Sequence, residues 1–77
     1  MASSSLDCRG MMCPVPIVRI SRAMKELSQG DVLTVQASDP SFGPDIEAWV
    51  RKMGHSLESF ADANGEQTAV IRHAAPA

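Results

Sequence analysis

Cys13-Pro14-Val15-Pro16 is the stretch of this sequence at which an irregular segment gives way to a helical pattern. Proline is tolerated in the first turn of a helix, because the first backbone N–H groups have no partner within the helix. The two prolines therefore predict that a helix begins here, with Cys13 at or near its N-cap. The partial positive charge of a helix N-terminus favours an anion such as a thiolate. We interpret Cys13 as a reactive sulfur.

The ionisation of Cys13 decides how reactive its sulfur is. A free thiol with a pKa of about 8.5 is only ~3% ionised at pH 7. A helix N-terminus contributes roughly 0.3–2 kcal/mol, which is enough to raise that share to about a quarter. Arg9 adds to this effect if the loop folds its side chain towards the sulfur. We expect a Cys13 thiolate that attacks an electrophilic sulfur or holds a terminal sulfur as a persulfide.

The helical pattern after this stretch is flanked by two strand patterns. Apolar residues recur at helical spacing from Pro14 to about Ser28, and Gly30 is the expected left-handed cap of that helix. Residues 6–9 alternate apolar and polar side chains, and residues 32–37 are rich in β-formers. A strand, a helix and a second strand in this order predict a βαβ unit with two parallel strands.

A second helix is predicted in the middle of the chain. Two prolines and a glycine indicate irregular structure over residues 38–44. Asp45 is then the expected N-cap, and apolar residues at helical spacing follow as far as Met53. Gly54 is expected to end this helix.

Two strand patterns close the sequence, at about residues 56–61 and 67–72. Asn64-Gly65 lies between them and is a strong signal for a two-residue hairpin turn. The complete order is β-α-β-α-β-β. It predicts an α+β fold, a two-layer sandwich in which both helices cover one face of a four-stranded mixed sheet.

The length and composition are typical of one small domain. The chain has 77 residues and a formal net charge of -2, which argues against nucleic acid or an anionic membrane as a direct partner. No apolar run approaches the ~20 residues of a membrane span, and the N-terminus has no secretory pattern. We expect a cytoplasmic monomer with a single domain at 6–73 and flexible tails at 1–5 and 74–77.

Two cysteines are too few for a disulfide scaffold or a four-ligand zinc site. We expect no metal and no bound cofactor. Nothing in the sequence places His55 or His73 beside Cys13. Acyl hydrolysis needs such a base, whereas passing a group between cysteines needs only an exposed thiol and a docking surface.

Several short motifs follow one another in the chain: Leu6-Asp7-x-Arg9-Gly10-x-x-Cys13-Pro14-x-Pro16, Gly30-Asp31, Asp39-Pro40, Asp45-Ile46 and Gly54-His55. With them, the sequence from about Leu6 to Arg72 resembles the TusA/SirA family of small sulfur-carrier proteins. The resemblance implies a βαβαββ sandwich in which Cys13 accepts persulfide sulfur from a cysteine desulfurase or a rhodanese. It also implies an acceptor protein, so that the chain acts as a relay sulfurtransferase rather than a free-standing multiple-turnover enzyme. In one branch the relay ends in 2-thiouridine in tRNA, and other branches serve other sulfur metabolism.

The predicted site consists of Cys13 and the supporting residues Asp7, Arg9, Gly10, Pro14 and Pro16. The two prolines aim the cysteine. Asp7 and Arg9 either brace the loop as an ion pair or remain two solvated side chains. Met11 and Met12 either form an apolar docking patch or fill the core.

Cys8 leaves other functions open. It is either a packed thiol or a resolving cysteine that forms a disulfide with Cys13. The second possibility makes the chain a thiol–disulfide redox switch. A third hypothesis is a regulatory interaction module in which Cys13 has no chemical role.

Overall fold

The computed structural model describes residues 3–74 and contains a four-stranded sheet and two helices. In chain order the elements are β1 (Ser3–Cys8), α1 (Val15–Lys25), β2 (Val32–Ala37), α2 (Phe42–Met53), β3 (Ser56–Ala63) and β4 (Glu66–Arg72). The strand order across the sheet is β1-β2-β4-β3. β1 and β2 are parallel, and the other neighbours are antiparallel. The predicted fold class and element order are confirmed.

One hydrophobic core lies between the sheet and both helices. Successive side chains of a strand point to opposite faces, and in β2 Leu33, Val35 and Ala37 are buried while Gln36 is exposed. The two helices contribute apolar residues at helical spacing to this same core: Ile20, Met24, Phe42, Ile46 and Val50. Both helices therefore cover one face of the sheet, as predicted.

β1 begins earlier than the sequence indicates. Ser3, Ser4 and Ser5 pair in register with Val32–Thr34 of β2. The prediction of a flexible tail over 1–5 is therefore wrong for residues 3–5, because backbone pairing holds polar side chains in a strand as well as apolar ones. At the other end, the Ala74 N–H donates to His55 Nδ1 at 3.2 Å. The rest of the two predicted tails, 1–2 and 75–77, lies outside the described residues.

α2 also begins earlier than expected, at Phe42. Ser41 occupies the N-cap in place of Asp45, which lies in the first turn. Pro44 lies in that turn too, where its missing N–H costs no helical hydrogen bond. The prediction of irregular structure over 42–44 is wrong because the Phe42 side chain is buried in the core, with 2% exposed. Gly54 ends the helix with φ 80, as predicted.

The connection after α1 is tied to the end of β4. α1 ends at Lys25, so Gly30 is not its cap, although its φ of 95 is left-handed as expected. The Gly30 N–H donates to the His73 carbonyl at 2.7 Å, and Arg72 donates to the Gly30 carbonyl at 3.0 Å. The hairpin at Asn64-Gly65 forms as predicted, with positive φ at both residues.

His55 and His73 pack together at the end of the sheet where β3 begins and β4 ends. Their ring centroids are 4.7 Å apart, and the Trp49 ring lies 5.5 Å from that of His55. Burial lowers the pKa of His55, and the neighbouring His73 lowers it further. No helix in residues 3–74 has the length and apolar character needed to cross a membrane.

We expect mild acid to destabilise the protein through His55. Its folded-state pKa lies below the value of about 6.5 in an unfolded chain, so the stability from neutral His55 is complete above that pH and lost as the pH falls. Urea unfolding at about pH 7.5 and about pH 5.5 measures the loss. Carboxylates with lowered pKa values change the free energy of unfolding only at more acidic pH, below the range of this comparison. His55→Gln does not titrate at that position and should lose less stability, and an equal loss in both proteins would contradict the assignment.

Candidate functional site

Cys13 lies in the loop between β1 and α1, and its side chain is exposed as predicted. Pro14 is the N-cap of α1, and Pro16 lies in the first turn with its ring buried. The Val15 N–H donates to the Met12 carbonyl at 2.9 Å, which closes a turn around the cysteine. Pro16 therefore holds the helix start in the core, whereas Pro14 is exposed and Cys13 stays outside, one residue before the cap.

The backbone of Cys13 is held by Asp39, from the loop between β2 and α2. The Cys13 N–H donates to Asp39 Oδ2 at 2.7 Å, and the Ser41 N–H donates to Asp39 Oδ1 at 3.1 Å. These two bonds favour the charged carboxylate and lower the pKa of Asp39. One carboxylate thus joins the cysteine loop to the start of α2.

The Asp39 loop is anchored in turn to the rest of the fold. Gln67 of β4 is buried, and its Nε2 donates to the Asp39 carbonyl at 2.7 Å. The Gly10 N–H donates to the Ser38 hydroxyl at 2.8 Å. Gly10 has φ 80, a conformation that favours glycine.

The Cys13 thiol faces carboxylates. The neighbouring Asp45 side chain is the largest cause of the raised pKa of Cys13. Partial burial and the charges of Asp45 and Asp39 raise the pKa further, whereas the Ser41 hydroxyl lowers it. The expectation of a thiolate at Cys13 is therefore wrong for the free protein. Two nearby carboxylates outweigh the partial charge of one helix end.

Arg9 does not turn towards the sulfur. Its guanidinium forms a two-pronged bond with Asp7, at 2.9 Å from Nε to Oδ1 and 3.0 Å from Nη2 to Oδ2. The pair lowers the pKa of Asp7 to about 2, and Glu66 lies 3.5 Å from Arg9 Nη1. Of the two interpretations of Asp7 and Arg9, the structure contains the ion pair that braces the loop, and the expected effect of Arg9 on the thiol is absent.

Exposed apolar side chains adjoin Cys13 along α1. Met12 is 75% exposed, and Val15 and Val18 are each nearly half exposed. Arg19 and Arg22 border the two valines at a shallow cavity between α1 and β1. We call these five residues the Met12 surface. Met11, by contrast, packs against the core. Of the two roles considered for the methionines, Met11 therefore fills the core, and Met12 is exposed beside Cys13.

Sequence reasoning assigned no role at the site to Asp39, Ser41 or Gln67, and it considered Asp45 only as a helix N-cap. Asp39-Pro40 and Asp45-Ile46 did stand among the motifs that carry the family resemblance, and that was the available signal. Asp39 and Asp45 are distant from Cys13 in the sequence and approach it only in the folded chain, so no local sequence pattern reveals that they lie near it.

Cys8 is completely buried in the core, and burial raises the pKa of its thiol. Both cysteines are free. The interpretation of Cys8 as a packed thiol fits this position, because a resolving cysteine must be reached by the partner sulfur. Within residues 3–74, no group of three or more His, Cys, Asp or Glu side chains is placed to hold a metal ion.

Residues 4–73 match the protein family described as sulfurtransferase TusA. The chain is 42% identical over 73 residues to a Neisseria meningitidis protein provisionally named a sulfur carrier protein, covering 95% of this chain and 99% of that one. It is 34% identical over 67 residues to the sulfur carrier protein TusA of Allochromatium vinosum, covering 87% and 88% of the two chains. The solved structure of a SirA-like protein from Desulfitobacterium hafniense matches with a TM-score of 0.82 and 25% identity, over 92% of this chain and 97% of that chain.

Proposed function

Because the chain belongs to the TusA family of sulfur carriers, we propose that it accepts sulfur as a persulfide on Cys13 and passes it to an acceptor protein. The observation that carries this proposal is the position of Cys13. Its side chain is exposed at a loop, its N–H is fixed by Asp39, and an apolar surface adjoins it. A sulfur that must be handed between proteins needs this combination of access and fixed position.

The transfer itself needs no redox partner. Cys13 Sγ attacks the outer sulfur of a donor persulfide and forms a new S–S bond. The bond between the two donor sulfurs breaks, and its electron pair leaves with the donor cysteine, which takes up the proton that Cys13 releases. A cysteine desulfurase or a rhodanese supplies such a persulfide, and the same exchange in the reverse sense delivers sulfur to the acceptor.

The direct test is loading of the protein by a sulfur donor. After incubation with a cysteine desulfurase and free cysteine, mass spectrometry of a non-reducing digest should find one added sulfur on the peptide that contains Cys13. An unmodified Cys13 peptide, with the donor active on another acceptor, would overturn the proposal.

We further propose that the relay works in the reducing cytoplasm, where thiols persist. Its product is 2-thiouridine in tRNA or another sulfur-containing compound. Nucleoside analysis of tRNA from cells that lack this chain distinguishes these two products. If the product is 2-thiouridine, the thiolated base is lost from the tRNA; if it is another compound, the base remains.

The Met12 surface is the proposed docking site for the sulfur donor and acceptor. Methionine adapts to varied apolar partners, and the two arginines beside the valines suit a partner with acidic side chains. The surface adjoins Cys13, so a protein bound there is placed within reach of the sulfur.

Met12→Ser is expected to slow sulfur loading by about fivefold, equivalent to ~1 kcal/mol of lost contact in the complex. The initial rate of loading by a desulfurase at limiting concentration measures this. Met53→Ser is the matched control, because Met53 is 45% exposed at the far end of α2. Equal rates for the two variants would argue against docking at Met12.

A further inference from the structure

We propose that Gln67 is a positioning residue for the sulfur of Cys13: from the core it binds Asp39, and Asp39 binds the backbone of the cysteine loop. Gln67 thus acts on the cysteine through Asp39 rather than by a bond of its own. The expected effect on sulfur transfer rests on the proposed function, whereas the effect on the position of Cys13 does not.

Gln67 is the one buried polar side chain among residues 3–74, with 4% exposed. Its neighbours on the core face of β4 are Ala69 and Ile71, and both are fully buried. Burial of an amide costs free energy unless its polar atoms find partners. An apolar residue would continue the buried face of β4, so the bond that the glutamine makes is what distinguishes this position.

The amide of Gln67 has a contact at each end. Its Nε2 donates to the Asp39 carbonyl at 2.7 Å, and a carbonyl only accepts, so the nitrogen faces it. Its Oε1 lies beside the first turn of α2, 3.5 Å from the point where a Cβ on Gly43 would stand. Gln67 therefore contacts both the loop before α2 and the start of that helix.

Asp39 connects Gln67 to the cysteine loop. Its carbonyl accepts from Gln67, while its carboxylate Oδ2 accepts the Cys13 N–H at 2.7 Å. Oδ1 accepts the Ser41 N–H at 3.1 Å, which fixes the rotation of the carboxylate. One residue thus has its main chain bound to the sheet and its side chain bound to the backbone of the reacting cysteine.

The register of the sheet explains why β4 supplies this residue. Cys8 pairs with Ala37, and Ala37 pairs with Gln67. Cys8 and Ala37 are the last residues of their strands, and the loops that follow them contain Cys13 and Asp39. Gln67 is the next residue in the same row, so its long side chain reaches the second of these loops.

The position of Cys13 affects sulfur transfer, because the attacking sulfur must be in line with the S–S bond that breaks. Gln67→Met keeps the length of the side chain and removes the donor. We expect the maximal rate of loading by a cysteine desulfurase to fall roughly three- to tenfold. The desulfurase concentration at half of that rate should not change, because Gln67 is not part of the Met12 surface.

Ile71→Val is the matched control for stability. Ile71 is buried on the same strand, and the loss of one methyl group weakens the core without touching Asp39. Its maximal loading rate should stay within about twofold of the wild type when the protein is folded. A fall as large as that of Gln67→Met would overturn the inference.

The position of Cys13 can be measured without sulfur transfer. Labelling with ¹⁵N-cysteine gives two amide signals in an NMR spectrum, because the chain has two cysteines, and Cys8 in β1 is the internal reference. The bond to a carboxylate makes the Cys13 N–H distinctive. We expect Gln67→Met to shift the Cys13 signal and to raise its hydrogen exchange rate about tenfold relative to that of Cys8.

Asp39→Ala decides whether Gln67 acts through Asp39. This substitution removes the carboxylate that binds Cys13 and keeps the carbonyl that binds Gln67. In the Asp39→Ala background, Gln67→Met should change the maximal loading rate by less than about twofold, because the connection is already broken. An equal fall in both backgrounds assigns Gln67 to the stability of the fold alone and overturns the inference.

Gln67→Asn keeps an amide in the core but is one methylene too short for the bond, so it replaces Gln67→Met in each measurement if the methionine variant does not fold. An unchanged signal and exchange rate of Cys13 in the variant overturns this inference, even if the wild type loads sulfur normally. A shifted Cys13 signal with no sulfur loading of the wild type overturns the proposed function alone.

Discussion

Cys13→Ser is expected to take up no sulfur from a cysteine desulfurase, where the wild type takes up one atom. A serine hydroxyl without an activating base is a poor nucleophile at neutral pH, and it has no sulfur with which to form a persulfide. The substitution leaves the backbone N–H that bonds Asp39, and an exposed side chain changes little in packing. Intact-mass measurement before and after treatment with a reductant shows whether one reducible sulfur has been added. Loading of Cys13→Ser to the wild-type level would remove Cys13 from the relay.

Cys8→Ala is the control that separates a relay from a redox switch. A relay needs Cys13 alone, so loading of Cys8→Ala should stay within about twofold of the wild type when both are measured below their unfolding temperatures. A thiol–disulfide switch needs both cysteines and fails in either variant. Loss of loading in Cys8→Ala, with the fold intact by circular dichroism, would favour the switch.

Phe42→Ala is expected to produce the largest loss of stability among single substitutions in α2. Phe42 is the largest of the fully buried side chains, and removal of a buried phenylalanine costs about 3–5 kcal/mol. A domain of this size has only about 4–11 kcal/mol in total. Urea unfolding should therefore find that the variant has lost a large part of the wild-type free energy of unfolding.

Phe60→Ala is the matched control. The Phe60 ring stacks near Phe42, with centroids 6.4 Å apart, but it is 40% exposed. Its removal should cost less than half as much free energy of unfolding, about 1–2 kcal/mol. If Phe42→Ala costs no more than Phe60→Ala, the core does not hold the first turn of α2, and Ser41 and Asp45 must be positioned by other contacts.

The sequence predicted correctly that Cys13 is exposed beside a helix start, but it did not predict the charge state of its sulfur. The prolines that expose Cys13 are its immediate neighbours, and their effect on the backbone is local. The carboxylates that raise the pKa of Cys13 lie in the loop before α2 and in the first turn of that helix, and Asp39 is 26 residues from Cys13. The family resemblance included the motifs that contain Asp39 and Asp45, but it did not predict which atoms these residues contact.

Local preferences determined the element order, the hairpin at Asn64-Gly65, the helix end at Gly54 and the turn that presents Cys13, because each depends on the backbone of a few consecutive residues. Tertiary structure alone decided that α2 begins at Phe42 and that Asp39 and Asp45 meet Cys13. The register of the sheet sets Cys8, Ala37 and Gln67 side by side on neighbouring strands, so the loops after the first two are brought together over the third. Contacts of this kind depend on which strands pair, and no stretch of the chain contains that information by itself.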